Sequence, residues 1–227
     1  MAIISETRSV QGFTEVTLHG YGELVVETGG PELSESLVIE ADETLLLRIA
    51  SEVRGNRLSL GFRMPWYEWV TWWMLWLFLP DKRIRYRLRA RAIQGLSLSG
   101  SGSVTCASLR GDQCRMRISG SGKIAVDGLA VGLVETAISG SGDISCSGAA
   151  ERFEARISGS GSVRAERLAA RQSAVRISGS GDVSVLAVDS LDVRISGSGR
   201  VWYAGEPRVQ TSISGSGRVR RLQERAR

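Results

Sequence analysis

The phrase Ser-Gly-Ser-Gly occurs seven times in this chain, and successive copies begin 18 to 20 residues apart. A near-constant period of this length is typical of stacked supersecondary units, in which each repeat buries its apolar face against its neighbours. Glycine is abundant, with 27 residues, but proline is scarce, with 4, so the composition does not indicate low-complexity disorder. The copies lie at 99–102, 119–122, 139–142, 158–161, 178–181, 196–199 and 214–217.

The residues around each copy alternate as they do in a β-strand. A Leu or Ile precedes every copy, and a Val or Ile stands two places after its last glycine. Polar residues fill the positions between them, so one face of each strand is apolar. The pattern predicts an all-β protein, a β-solenoid with coils of about 20 residues that stack about 4.8 Å apart. In this register the glycines of the motif point inward and the serines point outward.

The first part of the chain looks like a degenerate version of the same repeat. Residues 18–26, with the sequence LHGYGELVV, align with the regular phrase ISGSGDVxV. Strand-like runs follow at Ser36–Glu40, Thr44–Ile49 and Arg57–Phe62, and Gly55-Asn56 is typical of a turn between the last two. We predict one domain over 1–227, with degenerate coils at 1–64, a Trp-rich insertion at 65–80, regular coils at 82–219 and a basic tail at 220–227.

Taken together, these motifs resemble the head GIN domain family, whose other label is auto-transporter adhesin. The resemblance rests on the opening GFTEVTLHGYGELVVETG, the segment LVIEADETLLLRI and the repeated phrase ISGSGDV. It covers most of the chain except about 64–82. The resemblance implies a right-handed parallel β-helix, and it implies little about activity.

Nothing in the sequence predicts catalysis. The single histidine, His19, stands beside a glycine in the degenerate repeat. Sugar-cleaving β-helix enzymes need clustered acids on one face, whereas Asp143 and Asp182 are two coils apart with Ser162 between them. The position after the motif is Asp in only two of seven copies, which argues against calcium-binding repeats. We predict no enzyme activity, no cofactor, no metal and no small-molecule substrate.

The three cysteines are predicted to be reduced core residues. Cys106 and Cys146 fall at one coil position, two coils apart with Val126 between them, which is too far for a disulfide. Cys114 has no metal-like CxxC partner. No signal peptide is visible in the opening MAIISETRSV. We therefore expect a reducing, cytoplasmic setting, peripheral to the membrane.

Residues 65–80 break the repeat pattern, since they hold five of the six tryptophans of the chain. As a helix the segment would span about 22 Å, short of the ~30 Å hydrocarbon core, so a single spanning helix is not expected. Tryptophan favours the membrane interface; a homo-oligomer interface and burial within the protein are the alternatives, and either a helix or a hairpin fits. The predicted membrane or oligomer contacts are Trp66, Tyr67, Trp69, Trp72, Trp73, Trp76, Leu77 and Phe78.

Arginine then occupies every other position over Arg83–Arg91. In a strand these side chains share one face, where anionic lipid would contribute about 1 kcal/mol per basic residue. Pairing with the acidic N-terminal strands is the alternative. Nucleic acid is not expected, because the aromatic residues are clustered rather than interleaved with the basic ones. The predicted contacts with an anionic surface are Arg83, Arg85, Arg87, Arg89 and Arg91.

The sequence thus favours a non-enzymatic structural protein. The first hypothesis is a scaffold that forms homo-oligomers and attaches peripherally to an anionic membrane surface through the Trp-rich insertion and the arginine strand. The second is a soluble homo-oligomeric interaction module whose Trp segment is buried between subunits. A carbohydrate-active β-helix enzyme is a distant third, because no cluster of outward carboxylates is present.

Overall fold

The computed structural model describes residues 3–30, 32–62 and 84–222, and this part of the chain is almost entirely β-structure. Its single helix is one turn long. The elements are β1 (Ile3–Arg8), β2 (Glu15–Gly20), β3 (Glu23–Thr28), β4 (Ser36–Asp42), α1 (Glu43–Leu46), β5 (Ile49–Arg54), β6 (Arg57–Phe62), β7 (Arg85–Ala90), β8 (Gly95–Gly100), β9 (Ser103–Cys106), β10 (Leu109–Gly120), β11 (Lys123–Gly140), β12 (Asp143–Gly159), β13 (Ser162–Gly179), β14 (Asp182–Gly197), β15 (Arg200–Ala204), β16 (Arg208–Gly215) and β17 (Arg218–Arg221).

The repeats stack in parallel and in register, as the period predicts. The isoleucine before each motif pairs with its counterpart in the next coil, from Ile118 through Ile138 and Ile157 to Ile177 and Ile195. Each of these side chains is almost fully buried. The predicted β-solenoid is therefore confirmed, with about six turns of about 20 residues. The right-handed sense of the coil stays a prediction.

The motif glycines form the corner at which each coil turns. Gly140 has φ +125°, a conformation that L side chains rarely adopt, and a Cβ at this position would lie 2.5 Å from the carbonyl oxygen of Gly120. A Cβ on Gly142 would lie 2.6 Å from Cγ2 of Ile118 and 2.7 Å from the carbonyl oxygen of Gly122. The corner is thus closed to side chains by both backbone conformation and close packing. The motif serines point outward, as predicted.

The degenerate coil at the N-terminus has the register that the alignment predicts. Strand β2 pairs with β8 so that Gly20 lies against Gly100, and β3 pairs with β9 so that Leu24 lies against Val104. The amide of Ser101 donates to the carbonyl of Gly20 over 2.8 Å, which continues the corner ladder of the regular coils. The first SGSG coil is therefore built directly on residues 15–28.

Stacking order departs from chain order at this end of the solenoid. Strand β6 pairs in parallel with β2, and β7 pairs in parallel with β3. These two strands form a coil that lies outside the β2–β3 coil, although they follow it in sequence. The chain then crosses back to β8 on the other side of β2. Residues 63–83, which join β6 to β7, are outside the described part of the chain.

Antiparallel strands close the N-terminal end. Strand β4 pairs antiparallel with β7 and with β1, and β5 pairs antiparallel with β6 through the predicted turn at Gly55-Asn56. The prediction of a strand over Thr44–Ile49 is wrong, because α1 occupies its first three residues and β5 begins only at its last. The carboxylate of Asp42 accepts hydrogen bonds from the amide and the hydroxyl of Thr44, at 3.0 and 2.7 Å, and this N-cap starts the helical turn.

One continuous apolar core runs through the stack. Cys106 and Cys146 pair with Val126 from its two sides, as the coil spacing predicts. All three cysteines are buried free thiols, and burial raises the pKa of Cys114 and of Cys146 to about 12. Such thiols are protonated at neutral pH and poorly reactive, which confirms their prediction as core residues.

Candidate interaction surfaces

Strand β7 carries the predicted arginine row on its outer face. Its burial alternates perfectly, with Tyr86, Leu88 and Ala90 inside the core and Arg85, Arg87 and Arg89 outside. The face assignment made from the sequence is therefore correct for this strand. Arg91 follows the strand directly and is also exposed, whereas Arg83 lies outside the described residues.

These arginines pair with the acidic N-terminal strands, the alternative that the sequence left open. Arg85 and Arg89 lie 3.1 Å from Glu23 and Glu27 of the adjacent strand β3, which cross-strand register places opposite them. On the other side of β7, Arg87 lies 3.4 Å from Glu40 of β4. The arginine side chains of these pairs are 50–61% exposed, so each pair contributes about 1 kcal/mol or less. These three arginines are accessible to solvent but their charge is matched, whereas Arg91 donates to the carbonyl of Leu33 over 3.3 Å.

The described residues on either side of the Trp-rich segment lie near a corner of the β6–β7 coil. Strand β6 ends at Phe62, whose ring stacks on Tyr21 with centroids 5.2 Å apart. The chain re-enters the described structure at Ile84, whose carbonyl accepts from the amide of Glu23 over 2.9 Å. Tyr21 and Glu23 flank the Gly22 of the degenerate corner. Phe62 and Ile84 therefore both lie beside this corner, whereas the predicted contacts of the Trp-rich segment, Trp66 to Phe78, lie outside the described residues.

A long groove follows the outer face of the sheet beside the corner. It measures about 830 Å³. It is lined by the first serine of the motifs and by the residue two positions before that serine, which is arginine in four of the coils. Arg156 is held by Glu154 at 2.8 Å, and Arg194 lies 3.3 Å from Asp192. The groove therefore presents hydroxyls and guanidinium groups, with the nearby carboxylates engaged in ion pairs. Most of the lining surface is nevertheless apolar, because the row from Leu98 to Ile195 also lines the groove. The groove offers no pair of carboxylates poised for acid–base catalysis.

The two ends of the solenoid are the other candidate surfaces. At the C-terminal end, all eight residues of β16 are exposed, although β14 directly beneath it alternates between buried and exposed. At the N-terminal end, β1 is largely exposed, whereas β5 has one buried, three half-buried and two exposed residues. Sequence reasoning did not single out residues at either end.

The described residues contain no cluster of three or more His, Cys, Asp or Glu side chains that could hold a metal ion. His19 is exposed on the degenerate corner. Within the same described ranges, no helix is long and apolar enough to cross a membrane.

The stacked coils, the glycine corner and the antiparallel end define a β-solenoid repeat protein. Residues 12–207 match the family described as "Putative auto-transporter adhesin, head GIN domain". The chain belongs to this family, as the sequence motifs indicated. No protein with a curated description matches the chain.

Several solved structures have the same fold. A "putative adhesin" from Bacteroides fragilis is 20% identical, with a TM-score of 0.87 over 97% of both chains. A "Putative lipid binding protein" from Parabacteroides distasonis is 21% identical, with a TM-score of 0.77 over 97% of both chains. A second protein from that species, a "putative adhesin", is 21% identical with a TM-score of 0.71 over 97% of both chains. At such identities these likenesses establish the fold.

Proposed function

We propose that this chain is a non-enzymatic scaffold that self-associates and attaches to a membrane surface through its Trp-rich insertion. The observation that carries the proposal is the place of the insertion. Phe62 and Ile84, the described residues that precede and follow the insertion, both lie beside the corner at Gly22. An insertion at this point can contact a surface without disturbing the stacked core.

Composition supports a membrane partner for the insertion. A buried tryptophan removes about 150–250 Å² from water, which corresponds to about 4–6 kcal/mol at 25 cal/mol/Å². Five tryptophans left in water would form a patch larger than monomeric proteins tolerate. A structure with the same fold is described as a lipid binding protein, which agrees with a lipid partner. The buried, reduced cysteines agree with a reducing compartment, and we extend the proposal to the inner face of the membrane.

The arginine row has a secondary part in this proposal. Arg85, Arg87 and Arg89 are paired with carboxylates but about half exposed, so an anionic headgroup would compete with those carboxylates for each guanidinium. Their net attraction to anionic lipid is therefore smaller than that of unpaired arginines. We expect affinity for vesicles to depend mainly on tryptophan and to show only a modest dependence on salt.

Vesicle flotation tests the proposal. We expect the full chain to float with vesicles that contain anionic lipid, and a variant with Trp66, Trp69, Trp72, Trp73 and Trp76 changed to Ser to remain in the soluble fraction. Trp202→Ser is the matched control, because Trp202 is partly exposed on β15, outside the insertion. Flotation of the five-fold variant at the wild-type level would contradict attachment through the insertion.

The second candidate is a soluble homo-oligomer with the Trp segment between subunits. It predicts that the wild type does not float and that the five-fold Trp variant has a smaller particle mass in lipid-free buffer. Light scattering of both proteins, measured beside the flotation assay, therefore separates the two functions.

A further inference from the structure

The groove beside the motif corner contains a column of arginines from successive coils. Arg156, Arg176 and Arg194 occupy the same position of three neighbouring strands, and the parallel register places each beside the next. Because coils stack about 4.8 Å apart, three exposed guanidinium groups follow one another along the groove. Arg117 has the same position two coils before Arg156, with Ala137 between them. Like charges on facing strands destabilise a sheet, so the stability of the fold does not account for this arginine column.

Arg176, in the middle of the arginine column, has no ionic partner within the described residues. In the coils on either side, the residue two positions earlier is Glu154 or Asp192, and each lies no more than 3.3 Å from the arginine of its own coil. In the coil of Arg176 this residue is Ala174. Arg176 is therefore flanked by two arginines and has no counter-charge of its own in this part of the structure.

Arg117 is the second member of the column without an ion pair among the described residues. In the next coil, Glu135 is held by Arg115 at 2.7 Å and lies 4.0 Å from Arg156. Strand β7 shows that the fold is able to match arginines with acids, since each of its three exposed arginines has a carboxylate on a neighbouring strand. Two guanidinium groups of the column are thus free to bind an anion.

Hydroxyl groups line the groove beside the arginine column. Ser158, Ser178 and Ser196 are exposed and lie two positions after the arginines of their own coils. Within the described residues, their hydroxyls form no side-chain hydrogen bond. Hydroxyl and guanidinium groups both donate hydrogen bonds to oxyanions, and the planar guanidinium matches the geometry of a phosphate group. The groove therefore presents N–H and O–H donors for an anion along its length.

The rest of the groove lining distinguishes between classes of anion. Most of this surface is apolar, which suits a ligand that has an apolar part as well as an anionic group. No aromatic residue lines the groove, so it lacks the stacking platforms with which proteins bind single-stranded nucleic acids. An anionic lipid combines a phosphate group with apolar chains, whereas an inorganic polyanion offers charge alone. The lining therefore favours a lipid.

The groove follows the edge of the solenoid at which the chain enters the Trp-rich insertion. Its serine row begins at Ser99, which pairs with His19 of the degenerate corner. Phe62 and Ile84, the described residues that precede and follow the insertion, lie beside this corner. A solenoid whose axis lies along a membrane would therefore present the corner and the arginine column to the same surface.

We propose that the groove binds the phosphate groups of anionic lipids, with Arg117 and Arg176 as the main charged contacts and Ser178 as a neighbouring hydrogen-bond donor. The site rests on the proposed function and deepens it, because the groove supplies a preference for anionic headgroups and the insertion supplies apolar attachment. The arginine column takes the place of the arginines of β7 as the main anionic contact, since no described carboxylate competes with a headgroup for its two unpaired members.

Vesicle binding by two variants of equal net charge tests the site. Arg117→Gln with Arg176→Gln is the groove variant, which removes the two unpaired guanidinium groups and leaves the ion pairs of the column intact. Arg110→Gln with Arg167→Gln is the matched control, because both residues are exposed and lie outside the groove, and neither has an ion pair within the described residues. All four are surface residues, so we expect both variants to fold, which circular dichroism checks.

Flotation over a range of lipid concentrations gives the affinities. We expect the groove variant to bind vesicles of phosphatidylcholine and phosphatidylglycerol about 30-fold more weakly than wild type, from a factor of about five for each arginine. The control variant should keep the wild-type affinity for these vesicles. All three proteins should bind vesicles of phosphatidylcholine alone with equal affinity, because that binding depends on the insertion.

Equal losses in the groove variant and the control would assign the effect to net charge and would overturn the proposal. Equal affinity of the wild type for the two kinds of vesicle would also overturn it, while attachment through the insertion would stand. If inorganic polyphosphate bound the wild type more tightly than the vesicles did, and the groove variant lost this binding, the groove would belong to a soluble polyanion instead. A wild type that bound neither kind of vesicle would contradict the proposed function itself, and this site with it.

Discussion

The regular coils and the N-terminal end of this solenoid reach the same cross-section by different means. In the regular coils, identical residues stack on one another, so that Ile138 lies between Ile118 and Ile157 and Gly140 lies between Gly120 and Gly159. At the N-terminal end, antiparallel strands and cross-strand ion pairs such as Arg85 with Glu23 take the place of repetition. A repeated sequence is sufficient to add parallel coils to the solenoid. The series of parallel coils ends where strands of the opposite direction pair with it.

A charge inside the repeat should have the largest effect on folding. Ile157 is 2% exposed and is stacked between two isoleucines. Ile157→Asp would bury an unpaired carboxylate, and we expect it to lower the free energy of unfolding by about 4 kcal/mol or more. Ser158→Asp is the matched control, since the next residue points outward. Denaturant titration that found similar losses in both variants would show that the inward and outward faces are assigned wrongly.

Glycine substitutions compare a packed corner with an open turn. Gly140→Ala combines a φ of +125° with a Cβ 2.5 Å from the Gly120 carbonyl oxygen. Gly55 in the β5–β6 hairpin has a φ of +60° and no atom within 4 Å of an added Cβ. We expect Gly55→Ala to cost about 1–2 kcal/mol from backbone conformation alone, and Gly140→Ala to cost clearly more. Thermal melts that ranked them in the opposite order would contradict the packed corner.

The sequence predicts the repeat region well because every coil has the same alternation of inward and outward residues around its motif. Its seven motifs, and the alignment of Leu24 with Val104, are enough to place every inward residue of the regular coils. The strand predicted over Thr44–Ile49 failed, because hydrogen bonds from Thr44 to Asp42 favour a helical turn that apolar alternation does not reveal. Stacking of the β6–β7 coil outside β2–β3 also escaped prediction, since a periodic pattern contains no information on which side a coil is added.

The sequence likewise predicts only part of the candidate surfaces. Alternation in β7 correctly predicted the arginine face, but only the fold shows that Glu23, Glu27 and Glu40 lie beside it. Those acids are up to 62 residues away in sequence, and their pairing depends on the order in which coils stack.

The N-cap of α1 should give a small, pH-dependent difference at the N-terminal end. Hydrogen bonds from the hydroxyl and the amide of Thr44 lower the pKa of Asp42 below its ordinary value. The stability from the ionised cap is therefore present above the unfolded pKa of about 3.9 and is lost as pH falls through the lower folded pKa. Asp42→Asn keeps a capping amide without the charge. We expect wild type to be the more stable protein at neutral pH and the two to converge in acid, whereas a constant difference across pH would contradict this origin.

Hydrogen exchange with and without vesicles tests the central claim, that the chain attaches to a membrane surface through its Trp-rich insertion. Amides in a segment that meets a partner exchange more slowly than amides in contact with water. We predict that peptides from residues 65–80 gain protection when vesicles with anionic lipid are added, while peptides from β12 and β13 do not change. Exchange in residues 65–80 that is the same with and without vesicles would contradict attachment through the insertion.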